Sequence, residues 1–368
     1  MTHEEIFSYN RFTPKLPLEK PFVFGVNGLA HGHIFGMCQG LINAGATFKS
    51  VYDDDPALVE AFVKKYPNVK VCNSYEEMLA DDEIELIAGA AIPSERARIT
   101  IAAMRAGKDF FVDKAPVITL EQLEEVKAVS KETGRKLFVY YSEYVSVEAS
   151  IFAKQLIDRG VIGKVFHMDI AAPHRLNPET RPDWFYKREN TGGIIIDIGS
   201  HQLQQFLVFS GATDAKIESA RVDNYFFSHL SPNGGFDDFG DLMITGDNGV
   251  TGYIRIDWNS PRGIATWGDA RVIIEGELGY IELRKNCDIG KPKVTNTVLV
   301  CTDDGVFTES VSGKVGLEFY SNIIKDCKNR TETSMPEWQS YRAIELAIEA
   351  QLMALRAKEN KRSTKSER

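Results

Sequence analysis

Asp197 and His201 stand four residues apart in the stretch Thr191-Gly-Gly-Ile-Ile-Ile-Asp-Ile-Gly-Ser-His201, which is otherwise small or apolar. If the stretch is helical, this spacing places the carboxylate and the imidazole on the same face. A histidine beside a carboxylate has its tautomer and proton affinity set for proton transfer near neutral pH. The spacing therefore predicts an acid/base pair. A structural ion pair in the core is the alternative that this stretch alone leaves open.

A second candidate for proton transfer is Lys114, which follows the apolar run Phe110-Phe-Val and Asp113. The run predicts a strand, and a lysine at the carboxyl end of a strand points toward the usual ligand crevice. There it can orient a hydroxyl substrate or share its proton. A solvated lysine at a strand end is the alternative.

The elements that must position these side chains alternate between strand and helix through the first 143 residues. Short apolar runs predict six strands, at Phe22–Val26, Phe48–Tyr52, Val69–Cys72, Leu86–Ile92, Asp109–Val112 and Leu137–Tyr141. Such alternation predicts an α/β fold with a doubly wound parallel sheet of the Rossmann type. We expect an irregular arm over residues 1–20, with Pro14 and Pro17, and an NAD(P)-binding domain over residues 21–143.

The turn after the first predicted strand is the expected phosphate site, although the ideal G-x-G-x-x-G fingerprint is absent. Small residues at Gly28, Ala30 and Gly32 let backbone amides approach a pyrophosphate at the helix N-terminus. A structural tight turn is the alternative. The predicted cofactor-binding residues are Asn27, Gly28, Leu29, Ala30, His31, Gly32, His33, Asp53, Ala91, Pro93 and Lys114.

Asp53 lies 25 residues beyond Gly28, at the end of the second predicted strand. An acidic residue at about this spacing binds a ribose 2′-hydroxyl and repels a 2′-phosphate. The predicted cofactor is therefore NAD, with NADP less favoured. The alternative is that Asp53, Asp54 and Asp55 only cap the helix that starts near Pro56.

Beyond Ala215 the sequence changes to β-rich segments and turns. Asp247-Asn-Gly249 and Glu277-Leu-Gly279 indicate hairpins, so residues 144–368 are predicted to form an α+β domain with an open, mainly antiparallel sheet. The segment 257–269 carries two tryptophans, which suit either sugar rings or contacts between subunits.

Composition bounds the function. The 368 residues carry a net charge of −9, which argues against nucleic acid or an anionic membrane surface as the main partner. Five scattered cysteines without a CxxC pair indicate neither a disulfide framework nor a zinc ribbon. No signal peptide and no bilayer-length apolar run are evident, so we expect a cytoplasmic location.

Together these features resemble the Gfo/Idh/MocA family, from Phe22 to about Leu355. Asp113-Lys114 resembles the Glu-Lys-Pro motif of that family, with Asp in place of Glu and Pro116 one position late. Gly192-Gly193 through Asp197 and His201 resembles its Gly-Gly-(x)n-Asp-x-x-x-His motif. The resemblance implies a Rossmann domain and a C-terminal α/β domain whose open sheet often forms a homodimer or homotetramer.

The family resemblance also implies the roles of the site residues. Lys114 and His201 are the acid/base candidates, and Asp197 positions the substrate or the histidine. The loop before that motif faces the nicotinamide end of the cofactor in the family. The predicted substrate-contacting residues are His174, Arg175, Trp184, Asp197 and His201.

The leading hypothesis is an NAD(P)-dependent oxidoreductase that transfers a hydride between nicotinamide and a sugar, polyol or related hydroxy compound. An alternative is an NAD-assisted glycoside-cleaving enzyme, which oxidises its substrate transiently and shows no net redox change. A metal-dependent lyase and a non-catalytic cofactor sensor also stay open. No metal site is predicted, because the carboxylates lack a metal-ligand spacing.

Overall fold

The computed structural model describes residues 1–12, 15–16, 19–231, 234–291 and 293–366, with residues 361–366 as backbone only. Pro14 and Pro17 of the predicted arm lie outside the described residues. The chain forms two compact units. The parallel-sheet unit comprises Thr13–Tyr141 and Leu317–Tyr341, and the mixed-sheet unit comprises Met1–Phe12, Ser142–Gly316 and Arg342–Arg368. Residues 317–341 thus belong to the parallel-sheet unit, although they lie outside the sequence range predicted for the first domain. The functional domain boundaries stay predictions.

The strands, in chain order, are β1 (Val23–Asn27), β2 (Thr47–Tyr52), β3 (Lys70–Val71), β4 (Leu86–Gly89), β5 (Asp109–Asp113), β6 (Leu137–Tyr140), β7 (Val165–Pro173), β8 (Ala215–Asp223), β9 (Phe239–Gly246), β10 (Thr251–Asp257), β11 (Arg271–Gly276), β12 (Gly279–Arg284), β13 (Thr297–Thr302) and β14 (Gly305–Ser310).

The α-helices are α1 (His3–Ile6), α2 (His33–Asn43), α3 (Pro56–Val63), α4 (Tyr75–Leu79), α5 (Pro93–Arg105), α6 (Leu120–Thr133), α7 (Ser142–Val145), α8 (Glu148–Asp158), α9 (Arg188–Thr191), α10 (Ser200–Ser210), α11 (Phe319–Asn329) and α12 (Glu337–Ser366). A π-helical turn, Ile195–Gly199, precedes α10, and short 3₁₀ turns cover Pro178–Thr180, Asp183–Tyr186 and Ser228–Leu230.

The parallel-sheet unit confirms the predicted Rossmann arrangement. Its six strands run in the order β3-β2-β1-β4-β5-β6, and every neighbouring pair is parallel. The central strands are buried on both faces, as in β4 and β5, where every residue is buried. This explains why these strands appear in the sequence as continuous apolar runs rather than as alternating patterns. The order reverses between β1 and β4, which is where such sheets bind their ligands.

The mixed-sheet unit confirms the predicted open, mainly antiparallel sheet. Its eight strands run in the order β14-β13-β12-β11-β7-β10-β9-β8, and only β7 and β10 pair in parallel. Both predicted hairpins are present, because β9 pairs with β10 and β11 pairs with β12. Inward side chains alternate with outward ones along β10. Gly252 leaves room for the ring of Phe206 on α10, because an added Cβ would lie 3.0 Å from that ring.

Several elements differ from the prediction. Residues 3–6 of the predicted irregular arm form α1, because Thr2 and Glu5 complete a capping box. β13, β14 and α11 carry no strand or helix prediction, and the last helix, α12, runs to Ser366. Among the described residues, no helix combines the length and hydropathy that crossing a membrane requires.

Gly28 tests how tightly the turn after β1 is packed. It has a φ of +96°, and an added Cβ would lie 2.6 Å from Cβ of Ala91. We expect Gly28→Ala to lower the free energy of unfolding by about 2 kcal/mol or more, through strain and overpacking. Gly32→Ala is the matched control, because its added Cβ meets nothing within 4 Å and should change stability by under ~0.5 kcal/mol. Equal losses in urea unfolding would contradict this account.

Candidate active site

The turn that follows β1 is fixed by hydrogen bonds from its own backbone. The amide of Leu29 donates to Oδ2 of Asp53 at 2.6 Å, and the amide of His31 donates to the carbonyl of Ala90 at 2.9 Å. Asp53 also accepts from the amide of Asp55 at 2.8 Å. Asp55 is the side-chain cap of α3, because it accepts from the amide of Ala57 at 2.9 Å. Asp53 therefore does not cap this helix.

Three side chains of the parallel-sheet unit converge on Asp113, at the carboxyl end of β5. Nδ1 of His31 lies 2.7 Å from Oδ2, Nδ1 of His33 lies 2.8 Å from Oδ1, and Nη2 of Arg96 lies 3.0 Å from Oδ2. Asp113 is fully buried and Arg96 is 2% exposed. The cluster joins the start of α2, helix α5 and the end of β5.

Arg96 also clamps the backbone that carries Lys114. Its Nη1 donates to the carbonyls of Asp113, Lys114 and Ala115, and its Nε donates to the carbonyl of Ala91 at 2.7 Å. Lys114 itself is 6% exposed. One guanidinium therefore sets the path of the chain after β4 and after β5.

The charges of this cluster follow from burial and pairing. Burial alone would raise the pKa of the Asp113 carboxyl, but His33, Arg96 and His31 lower this pKa well below its usual range. Burial lowers the pKa of His31, against the opposing effect of Asp113. The carboxylate is therefore ionised, and because an ionised carboxylate only accepts, the facing Nδ1 atoms donate.

His31, His33 and Asp113 are also the group that could hold a metal ion, since one ligand atom from each lies within 4.8 Å of the others. The sequence analysis did not foresee this grouping. Both oxygens of Asp113 already accept hydrogen bonds, and one of the donors is a guanidinium. The donor set therefore fits a hydrogen-bonded cluster better than a cation site.

Asp197 and His201 lie in the mixed-sheet unit, in a helical stretch as predicted. The first turn of that stretch is a π turn, a feature often found at functional sites. Two glycines with positive φ, Gly192 and Gly193, precede it, and an added Cβ on Gly193 would lie 2.6 Å from the Gln351 side chain. The Gln351 Oε1 accepts from the amide of Ile195 at 3.0 Å, which fixes the start of the turn.

His174 lies just after β7, and the described contacts of its ring nitrogens lead to protein acceptors. Its Nδ1 lies 3.0 Å from the carbonyl of Ala172, and its Nε2 lies 3.6 Å from Oε1 of Glu143. The ring centroid is 4.4 Å from that of Trp267 and 5.6 Å from that of Trp258. The segment 257–269 thus packs around His174.

The other predicted substrate residues have different surroundings. Arg175 donates to the carbonyls of Pro261 and Ile264, so its guanidinium holds a loop. Trp184 lies in a 3₁₀ turn, with its ring 6.1 Å from that of Phe185. Arg181, in the same loop, packs over Phe185 and Trp258 and interacts electrostatically with Asp197.

Sequence reasoning missed several buried charged residues, among them Arg96, Glu143 and Lys285. Each is 2% exposed. A charge inside an otherwise apolar or helical pattern is the signal that could have found them, because such groups are buried only when paired. Their partners lie 17 and 142 positions away, so spacing alone could not identify the pairs.

A parallel sheet with a hydrogen-bonded glycine turn after its first strand is typical of dinucleotide-binding proteins. Two sequence matches identify the family. Residues 19–141 match the oxidoreductase family with an NAD-binding Rossmann fold, and residues 151–282 match the GFO/IDH/MocA C-terminal domain. The chain belongs to the GFO/IDH/MocA family of oxidoreductases.

Individual relatives agree with this membership. An oxidoreductase structure from Erwinia carotovora atroseptica SCRI1043 is 42% identical, with a TM-score of 0.88, and the match covers 90% of this chain and 98% of that one. The scyllo-inositol 2-dehydrogenase (NADP(+)) IolW of Bacillus subtilis is 27% identical over 179 residues, which is 47% of this chain and 49% of IolW.

The D-xylose dehydrogenase of Paenarthrobacter nicotinovorans is 25% identical over 156 residues, which is 39% of this chain and 38% of that protein. The chain thus spans less than half of the length of the first curated relatives that it matches. These two relatives are named for polyol and sugar dehydrogenation.

The Asp113 cluster makes a stability prediction. Asp113→Asn leaves the buried Arg96 cation without its counter-charge, so we expect the free energy of unfolding to fall by about 3–5 kcal/mol at neutral pH. Because the pKa of Asp113 is lower in the folded chain than in the unfolded one, the stabilisation is present above about pH 4 and decreases in acid. The difference between variant and parent in urea unfolding should shrink accordingly.

Glu95→Gln is the matched control, because Glu95 lies beside Arg96 on α5. Glu95 pairs with Arg98, and the two side chains are 50% and 67% exposed. Its removal should change stability by under ~0.5 kcal/mol, as for other solvent-exposed pairs. Similar losses in the two variants would mean that burial of the Asp113 cluster is not what stabilises the fold.

Proposed function

We propose that this chain is an NAD-dependent dehydrogenase that oxidises a CH–OH group of a sugar, a polyol or a related hydroxy compound. The observation that carries the proposal is the clamp that Arg96 forms around Asp113–Ala115. It holds Lys114 at the carboxyl edge of the parallel sheet, where ligands of such sheets lie. The two dehydrogenases named for polyol and sugar substrates support the substrate class.

The residues of the parallel-sheet unit suit a dinucleotide. Gly32 is the N-cap residue of α2 and provides no side-chain cap, and an added Cβ there would meet nothing within 4 Å. Backbone amides at such a helix start can approach a pyrophosphate. Asp53, at the end of β2, would accept from a ribose 2′-hydroxyl, while its charge disfavours a 2′-phosphate.

A bound NAD would supply the acceptor for the hydride of the substrate carbon. Lys114 and His201 would handle the proton of the substrate hydroxyl, and Asp197 would orient the substrate or the histidine. His174 and Trp184 would shape the substrate side of the site, with Arg175 holding the loop behind them. We assign these roles from the family resemblance and from the chemistry of the side chains.

The remaining parts of the proposal concern assembly and location. Met243, Tyr280 and Val306 are 54%, 43% and 72% exposed and point away from the buried side of the eight-stranded sheet. We propose that copies associate through this open face into a homodimer or homotetramer, whose stoichiometry sedimentation equilibrium can measure. All five cysteines are free thiols, which fits a reducing, cytoplasmic compartment.

The cofactor assignment has a direct test in calorimetric titration with NAD and NADP. We expect NAD to bind more tightly, and Asp53→Asn to weaken NAD binding about tenfold, because a charged acceptor for the ribose is lost. Asp54→Asn is the matched control, since Asp54 contacts the hydroxyl of Tyr52 and should leave both affinities unchanged. Binding of neither dinucleotide would overturn the proposed function.

The catalytic assignment is tested by NADH formation with a panel of sugars and polyols. Lys114→Met and His201→Asn should each lower kcat about 10²- to 10⁴-fold, and His201→Asn should retain NAD binding. His167→Asn is the control, because His167 contacts Thr251 on the sheet and should keep full activity. Turnover that needs no added NAD and accumulates no NADH would instead indicate the glycoside-cleaving alternative. Loss of activity on chelation would indicate a metal enzyme.

A further inference from the structure

Four polar side chains of the mixed-sheet unit form a closed ring of hydrogen bonds in its interior. We call Glu143, Gln202, Gln205 and Lys285 the buried quartet. Lys285 Nζ donates to Oε2 of Glu143 at 2.7 Å and to Oε1 of Gln205 at 3.0 Å. Gln202 Nε2 donates to Oε1 of Glu143 at 2.9 Å, and Gln205 Nε2 donates to Oε1 of Gln202 at 2.9 Å. None of the four is more than 2% exposed.

Stability alone does not explain such a ring. Replacing a buried ion pair by apolar side chains of similar volume is often neutral or stabilising, so a buried pair is weak evidence for a stabilising role. The ring brings together α7, α10 and the end of β12, and apolar side chains could join these elements as well.

The carboxylate of Glu143 has two distinct sides. Oε2 faces the ammonium of Lys285, whereas Oε1 faces Nε2 of His174 at 3.6 Å. His201, which is 2% exposed on α10, also interacts electrostatically with Glu143. The carboxylate thus faces His174 and also interacts with His201, and both histidines are predicted site residues.

The surroundings of His174 favour its protonated form. A backbone carbonyl, that of Ala172, faces Nδ1, so this nitrogen carries a hydrogen. A carboxylate oxygen faces Nε2, and two indole rings flank the imidazole. An acceptor at each nitrogen stabilises an imidazolium. Lys285 is the opposing cation, and it lies on the far side of the Glu143 carboxylate.

We propose that Glu143 is a positioning residue that stabilises the protonated forms of His174 and His201, and that Lys285 holds its carboxylate in place. Burial alone would raise the pKa of Glu143, but Lys285, His201 and His174 lower it, which agrees with an ionised carboxylate. Under the proposed dehydrogenase function, on which this part rests, Glu143 strengthens His201 as a base for the hydroxyl proton. Glu143 itself does not touch the substrate.

The test is an NMR titration of the full chain labelled with ¹⁵N-histidine, with His174 and His201 assigned from His→Asn variants. Glu143→Gln should lower the titration midpoint of His174 by about one pH unit or more, because an opposite charge within ~4–6 Å of its ring is removed. The midpoint of His201 should move in the same direction. Lys285→Met should raise the same midpoints, because it removes the cation and keeps the carboxylate. Opposite directions from one ion pair separate an electrostatic role from a structural one.

Two further variants keep the test decisive. Glu143→Gln/Lys285→Met removes both charges, and it should fold and show a smaller lowering than Glu143→Gln alone. Glu148→Gln is the control, because Glu148 accepts from the amides of Val315 and Gly316 and should leave the midpoints unchanged. Unchanged midpoints, shifts of the same sign in the two single variants, or failure of all the quartet variants to fold would overturn the proposal.

A kinetic readout completes the experiment. The acidic limb of the pH profile of kcat/KM should move to lower pH in Glu143→Gln, with kcat reduced and NAD affinity retained. The NMR midpoints need neither cofactor nor substrate, so they test the quartet even if the chain is not a dehydrogenase. If the parent protein did not bind NAD, the proposed function would be wrong, and the NMR result would still stand.

Discussion

The carboxyl edge of the parallel sheet depends on one buried ion pair, Arg96 with Asp113. Taking two charges out of water costs several kcal/mol per ion, and their attraction offsets this only when the remaining donors and acceptors are also bonded. Here the guanidinium reaches four backbone carbonyls, and the carboxylate accepts from two imidazoles. The contacts of this one buried pair thus fix the glycine turn, the chain after β4 and the chain around Lys114 in a single arrangement.

The mixed-sheet unit contains a comparable arrangement built from different residues. In each unit, an ionised carboxylate is buried beside a cation and interacts with two histidines. In the parallel-sheet unit both histidines bond directly to Asp113, so the carboxylate is saturated and its role is to hold the turn. In the mixed-sheet unit the nearest described approach, between His174 and Glu143, is 3.6 Å. Under the proposal above, the charge of Glu143 sets the proton affinity of His174 and His201.

Local patterns predicted most of the fold because they determine most of it. Continuous apolar runs identify strands buried on both faces, and Asp247–Gly249 identifies a hairpin without reference to any distant residue. β14 is harder to predict, because it is an edge strand with few buried side chains and gains its register only by pairing with β13. The ion pairs are the least predictable feature. Arg96 and Asp113 are 17 positions apart, and Glu143 and Lys285 are 142 positions apart, so only the tertiary structure brings each pair together.

Two departures from the family motifs become one feature when the contacts are considered together. The turn after β1 carries His31 and His33 where a phosphate site is expected, and Asp113 replaces the usual glutamate at the end of β5. Separately, each weakens the match to the family pattern. In the structure the shorter carboxylate meets both imidazoles, at 2.7 and 2.8 Å, so the substitutions complement each other. Because Arg96 binds the same carboxylate and the backbone around Lys114, this complement keeps the lysine clamped at the sheet edge. The altered motifs are therefore compatible with a working site, and the glycine turn is held by side chains as well as by its small residues.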